Sequence, residues 1–215
     1  MRLIWIIAAL LTLGACTEKP GTVSAGSAYD DSWYVSSGWP GEYPNGFTIL
    51  RDGVVLEGRA GMDKALPKTL QCPVPKFANY NPWNHQRVEA DQLRFISASK
   101  KFTITMTADA RVPVFDDAHD ETLSLKKGDT LTYLTYIAEG FALMDYQGTE
   151  YQVDMAELEE KASFGEQPDI GDDLWADIPC ADGQRGWVLH AELQSVDGVG
   201  ETEHVAYGES PDLTE

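Results

Sequence analysis

The 215 residues predict an all-β protein built from two small barrels, the second discontinuous in sequence. Three observations carry that prediction. The first is an ungapped internal repeat: Gly148-Thr-Glu-Tyr-Gln-Val-Asp-Met-Ala-Glu-Leu158 and Gly183-Gln-Arg-Gly-Trp-Val-Leu-His-Ala-Glu-Leu193 share Gly, Val, Ala, Glu and Leu at the same offsets. Each copy follows a short apolar alternation, so each reads as a β-hairpin whose glycine supplies the turn. The second is Lys101-Phe-Thr-Ile-Thr-Met-Thr107, which places Phe102, Ile104 and Met106 on one face and threonines on the other, as a half-buried strand does. The third is a shortage of chain. Residues 159–174, between the two copies, are acidic and broken by Gly165, Pro168 and Gly171, so they offer no strands to complete a barrel around the second hairpin.

The missing strands must then come from upstream. Phe47-Thr-Ile-Leu50 and Val54-Val-Leu56, joined by Arg51-Asp52-Gly53, read as a hairpin with Asp-Gly at its turn. With Phe102, Ile104 and Met106 they are the available donors. The expected organisation is an N-terminal β region over 32–107 that shares a barrel with 170–195, and a module over 108–160 inserted between the two parts. A hairpin segment over 161–197 and an acidic tail over 198–215 follow. One elongated β domain without a clean boundary is the alternative. The segment 38–46, rich in Gly and Pro, reads as loop, and Pro67, Pro73, Pro75 and Pro82 exclude regular helix from 67–83. Residues 88–96 fit a short helix or a strand equally well.

The inserted module resembles a bacterial SH3 domain of the SH3b type found on cell-envelope proteins. Val112-Pro-Val-Phe115 matches that family's opening strand, and Leu123-Ser-Leu-Lys-Lys-Gly-Asp-Thr-Leu-Thr-Tyr-Leu134 its diverging turn and second strand. Gly140-Phe141-Ala-Leu143 corresponds to the Gly-Trp-x-x-Val strand, and Gly148 to the tight turn. The family closes with Gly-Trp-Val and a short helical turn ending in Leu. The second copy keeps this as Gly186-Trp187-Val188 through Leu193, whereas the first has Tyr151-Gln152-Val153. The resemblance implies binding of a peptide or a protein partner.

The N-terminus sets the expected compartment. Met1-Arg-Leu-Ile-Trp-Ile-Ile-Ala-Ala-Leu-Leu-Thr-Leu-Gly-Ala-Cys16 has one cation, an apolar run too short to span a bilayer and a small-small-Cys ending. Residues 1–15 therefore read as a signal peptide. Leu13-Gly14-Ala15-Cys16 resembles the lipobox of bacterial lipoproteins, which implies diacylglycerol and palmitate-type acylation at Cys16. At about 0.8 kcal/mol per buried CH2, two or three acyl chains anchor a protein essentially permanently. Thr17, rather than Asp, after the cysteine favours the outer membrane, facing the periplasm. Residues 16–31, rich in Gly, Ser, Thr and Ala, read as the lipidated cysteine and a flexible tether.

The formal net charge is −19, and cleavage after residue 15 would remove Arg2 and no acid. So acidic a chain excludes a basic groove for nucleic acid or anionic lipid. It suits solubility or a cationic partner. In an oxidising compartment Cys72 and Cys180 are expected as a disulfide, with free thiols the alternative.

Few residues point to chemistry. Asp116-Asp-Ala-His-Asp-Glu121, and Asp169, Asp172 and Asp173, lack calcium-loop spacing and read as solvated loops. His85, His119, His190 and His204 are scattered, with no zinc spacing. Cys72 lies between Gln71 and Pro73, not at a helix start where a catalytic thiol is activated. No Gly-x-Ser-x-Gly elbow occurs. The expectation is no catalytic residue, metal or cofactor. Trp39, Tyr80, Trp83, Tyr151 and Trp187 are the candidate binding aromatics. Rings in loops either form a binding patch or cover the ends of small barrels, and the sequence leaves both open. The expected function is binding of an envelope protein or peptide, with cell-wall association in view. Inhibition of a cationic protein such as a lysozyme-type hydrolase is the alternative, and cell-wall hydrolysis the weaker one.

Overall fold

The computed structural model describes residues 28–43, 45–82, 94–115, 122–167 and 172–201, and over these the protein is predominantly β. Cys16, Trp83, His85, His119, His204, Asp169 and the acidic run 116–121 lie outside the described residues.

One antiparallel sheet is assembled from both ends of the chain. Its strands are β1 (Trp33–Ser37), β6 (Arg94–Lys100), β14 (Asp173–Pro179) and β15 (Arg185–Leu189), in the order β1-β6-β14-β15. The central strands β6 and β14 are buried on both faces: Phe95, Ile96 and Ala98 are covered in one, Trp175, Ala176 and Ile178 in the other. β14 pairs with β6 from Asp173↔Ala98 to Asp177↔Arg94, so the later hairpin has its neighbour far upstream. Residues 94–96, left open between helix and strand by the sequence, are strand.

Further elements of the upstream region pack against this sheet. β2 (Phe47–Ile49), β5 (Asn79–Tyr80) and β16 (Val199–Glu201) form a three-stranded sheet in the order β16-β2-β5; β3 (Val55–Gly58) pairs with β4 (Leu70–Pro73). Here the structure corrects the expected hairpin over 47–56. Gly53 does turn the chain, with φ +77°, but β2 and β3 diverge into different sheets. Val199–Glu201, expected within the acidic tail, is a strand because it covers the open edge of β2. The shared core contains Trp39, Phe47, Ile49, Leu56, Cys72, Phe95, Ile178, Val188 and Leu193.

The Cys72–Cys180 disulfide is present and ties β4 to the end of β14 across 108 residues of sequence. Two glycines make room for it. A Cβ on Gly186 would lie 2.6 Å from Cys180 Sγ and 3.1 Å from Cys72 Sγ, and one on Gly58 would lie 3.0 Å from Cys72 Sγ.

The second sheet comprises β7 (Phe102–Met106), β10 (Thr130–Ala138), β11 (Phe141–Tyr146), β12 (Thr149–Asp154) and β13 (Ala162–Phe164), in the order β12-β11-β10-β7-β13. Between β7 and β10 the chain makes the ribbon of β8 (Ala110–Pro113) and β9 (Thr122–Leu125). A bridge from Val114 to Val153 brings this arm against β12. Ile104 and Met106 are buried as the alternation predicts, and Phe102 stacks on Tyr133. β7, however, pairs with β10 and β13 rather than with the C-terminal hairpin, so the expected start at 108 gives way to Phe102. Ala162–Phe164 is a strand despite its acidic surroundings, because the unpaired edge of β7 receives it. Neither group of strands closes into a hydrogen-bonded barrel among the described residues. The β8–β9 arm instead lays Val112 and Leu125 on the core of Ile104, Leu131, Ala142, Met144, Val153 and Leu158.

The internal repeat has a common structure. β11–β12 turns through Gln147 (φ +56°) and Gly148 (φ +83°), β14–β15 through Asp182 (φ +57°) and Gly183 (φ +70°). Positive φ at two successive residues suits strand twist and favours glycine in the second place. The first loop is just these two residues, whereas the second runs over 180–184 with a 3-10 turn at Ala181–Gly183. Each later strand buries its repeat valine, Val153 or Val188. Each then enters a helical turn, Ala156–Glu159 or His190–Leu193, that plugs the core with Leu158 or Leu193.

Candidate functional site

The longest strand, β10, is irregular where it meets the upstream sheet. Its register against β11 slips between Tyr133 and Thr135 and again between Tyr136 and Ala138. Bulges add an unpaired residue and re-aim the side chains beside it. Here they accompany an outward Tyr136, 39% exposed in the middle of a sheet otherwise well covered. The Tyr136 hydroxyl accepts a hydrogen bond from the Gly140 N–H at 3.3 Å, across the turn formed by Glu139 and Gly140.

Beside Tyr136 lies a groove of about 300 Å³ between β10 and the segment leading out of β1. Trp39, Pro40, Ile137 and Ala138 give it an apolar lining, and Glu42 is the carboxylate on its wall. Two hydroxyl pairs stitch the seam beneath it: Ser36 with Ser97 at 2.9 Å, and Ser99 with Thr135 at 2.7 Å. The Gly41 N–H also donates to the Ile137 carbonyl. Asp172 bonds to Ser99 at the same seam, and burial raises its carboxyl above the usual carboxylate range. Beyond Ala138, its ladder partner Phe141 meets Phe115 edge to face at 4.9 Å, and Phe115 is 49% exposed. Phe115 and Phe141 thus form an aromatic pair next to Ala138 at the end of β10, outside the lining of the groove.

The structure disperses the aromatics singled out from sequence. Trp39 is buried, donating its indole N–H to the Trp175 carbonyl at 3.0 Å and packing edge-on against Phe95; it forms the floor of the groove. Tyr80 is buried in the upstream core, stacked on Phe47 at 4.5 Å, and desolvation pushes its hydroxyl pKa up to about 12. Tyr151 is half-buried on β12 opposite Met144. Trp187 is half-buried on β15, with the Arg94 guanidinium 5.2 Å from its ring centroid and both its backbone groups bonded to Arg59 at 2.9 Å. Of these four, only Trp39 reaches the groove. Tyr136 was missed, yet β10 carried a signal: its buried leucines, Leu131 and Leu134, are three apart, an odd spacing that a regularly alternating strand with one buried face does not produce.

The charged groups elsewhere hold the fold together. Arg59, buried, grips Glu192 through two bonds of 2.7 Å. That pairing holds the Glu192 carboxyl below its usual range. Asp177, fully buried, bonds to Arg94 and Arg185. Asp173, read from sequence as a loop residue, is also buried. It pairs with Lys64 at 2.8 Å and accepts from the Tyr29 hydroxyl at 2.9 Å, while the Trp175 indole donates to that hydroxyl at 2.6 Å. Tyr29, placed within the tether by sequence, is therefore anchored to the core. No cluster of three or more His, Cys, Asp or Glu able to hold a metal occurs among the described residues, and no described helix is long and apolar enough to cross a membrane.

Comparisons with protein-family models, with curated proteins and with solved structures find no match to this chain.

Proposed function

We propose that this is a lipid-anchored envelope protein, acylated at Cys16 and facing the periplasm, that binds a peptide or protein partner without catalysis. The observation that carries the reading is the doubly bulged β10, which presents Tyr136 beside an apolar groove lined by Trp39, Pro40, Ile137 and Ala138. Small all-β modules with an aromatic groove suit extended ligands, which bind with little chain left to order. Residues 102–164 are read as an SH3-like module. The tight turn at Gly148, the strand beginning at Phe141 and the helical turn ending on buried Leu158 support that resemblance. The paired state of Cys72 argues against a thiol nucleophile there.

The test is capture from solubilised envelope with the lipidated protein and with its Tyr136→Ala and Ile137→Ala variants, both at residues that line the groove. A partner retained by the wild type and lost by both variants supports the reading. Identical captures by all three refute it. The formal charge of −19 favours a second reading, inhibition of a cationic lysozyme-type hydrolase. Inhibition that disappears as salt rises would support this second reading, since exposed charges are screened within about 8 Å at physiological ionic strength.

A further inference from the structure

A separate cleft of about 330 Å³ opens between β2, β16 and the helical turn His190–Leu193. Phe47, Leu193 and Val199 supply apolar walls; Glu201, His190 and Gln194 supply its polar edge. The His190 ring packs on Trp39 at 5.0 Å, and its Nε2 lies 3.3 Å from the Gly46 carbonyl. Burial holds this imidazole below its usual pKa, so at neutral pH it brings no positive charge to the neighbouring Glu201 carboxylate. Glu201 has no ion pair among the described residues. A cleft with three apolar side chains on its walls and a carboxylate that has no ion pair among the described residues, on a chain of charge −19, calls for a cationic head on an aliphatic stem.

We propose that this cleft binds an alkylammonium group of the lysine side-chain type, with the stem between Phe47, Leu193 and Val199 and the ammonium on Glu201. The groove at Tyr136 is not part of it, so this inference stands or falls independently of the function proposed above. The probe is N-α-acetyl-lysine amide, added to the folded soluble chain while amide chemical shifts are followed by NMR at neutral pH. Saturable shifts centred on Leu193, Val199 and Gly200 are expected. They should be weakened about tenfold or more by Glu201→Gln, because a hydrogen bond to a charged group is lost. They should be unchanged by Tyr136→Ala. The N-ε-acetyl derivative, which keeps the stem and loses the charge, should not compete. No saturable shift, equal binding of the acetylated probe, or indifference to Glu201→Gln would each overturn the proposal. So would binding that appears only after residues 202–215 are removed, since the occupant would then be the chain's own end.

Discussion

Gly186→Ala is the substitution whose effect the structure specifies most closely. Gly186 does not lie at positive φ, so alanine brings no backbone strain, and its whole effect is the added methyl group. That methyl would sit 2.6 Å from Cys180 Sγ, 3.1 Å from Cys72 Sγ and 3.3 Å from the Gly58 Cα. A sulfur bonded to a second strand cannot swing aside as the end of a free side chain would. Overpacking of this kind costs about 1–3 kcal/mol. For a chain of this size each kcal/mol moves Tm by about 2–4 °C. The assay is urea and thermal unfolding of the soluble chain, followed by circular dichroism, for Gly186→Ala alone and in a Cys72→Ala/Cys180→Ala background. Without the sulfurs only the tight approach to Gly58 remains, so the cost should fall below about 1 kcal/mol and the two perturbations should couple by about 1 kcal/mol or more. Equal costs in the two backgrounds, or no cost in either, would refute the packing argument.

Four other outcomes follow from the same physical reasoning. The Cys72→Ala/Cys180→Ala pair by itself should lower stability by about 4–5 kcal/mol in the chain-entropy treatment of so long a loop, measurable by urea unfolding. Tyr29→Phe should cost about 1–3 kcal/mol, because it leaves the buried Trp175 N–H without its acceptor. Asp172→Asn should raise Tm at pH 7 and leave it nearly unchanged at pH 3. Its raised folded-state pKa means that the stability this group contributes is present below its unfolded pKa and lost as pH rises through the folded value. Glu192 behaves in the opposite sense: its depressed pKa gives stability above the unfolded value that is lost as pH falls through the folded one, so Glu192→Gln should flatten the acid limb of a Tm–pH profile.

The parts of this fold that were legible in sequence are those written in local turn chemistry. Gly148 and Gly183 each turn a hairpin at positive φ, through a two-residue loop in the first copy and the longer loop 180–184 in the second, and the valine and leucine at fixed offsets after each glycine bury in the same way. That the later hairpin takes a neighbour from upstream could be read, but which strand supplies it could not: β6 does so, not the segments 47–56 or 102–106. Phe47–Ile49 and Val55–Gly58 flank an Asp-Gly turn as hairpin strands do, yet both are short, and distant edges compete for each: β5 and β16 for one, β4 for the other. Val112-Pro-Val-Phe115 alternates as well as β7 does, so the start of the second sheet was placed in the arm rather than in the strand before it. The site was obscured for a related reason. Trp39 and Tyr80 sit among prolines and glycines, where a ring reads as exposed, but a small core draws rings in from its loops. Tyr136 owes its exposure to a bulge, whose only trace in sequence is the odd spacing of Leu131 and Leu134.

The account rests on residues 173–189 completing a sheet begun before residue 101, with the second sheet inserted between. The ends of the insert lie side by side, the Gly165 N–H donating to the Thr103 carbonyl at 2.8 Å. Replacing residues 102–164 with a short glycine-serine linker therefore tests the claim most directly. The shortened chain should still unfold cooperatively and should yield, without reduction, a proteolytic fragment joining Cys72 to Cys180. A shortened chain that forms no such bond and shows no cooperative transition would contradict it.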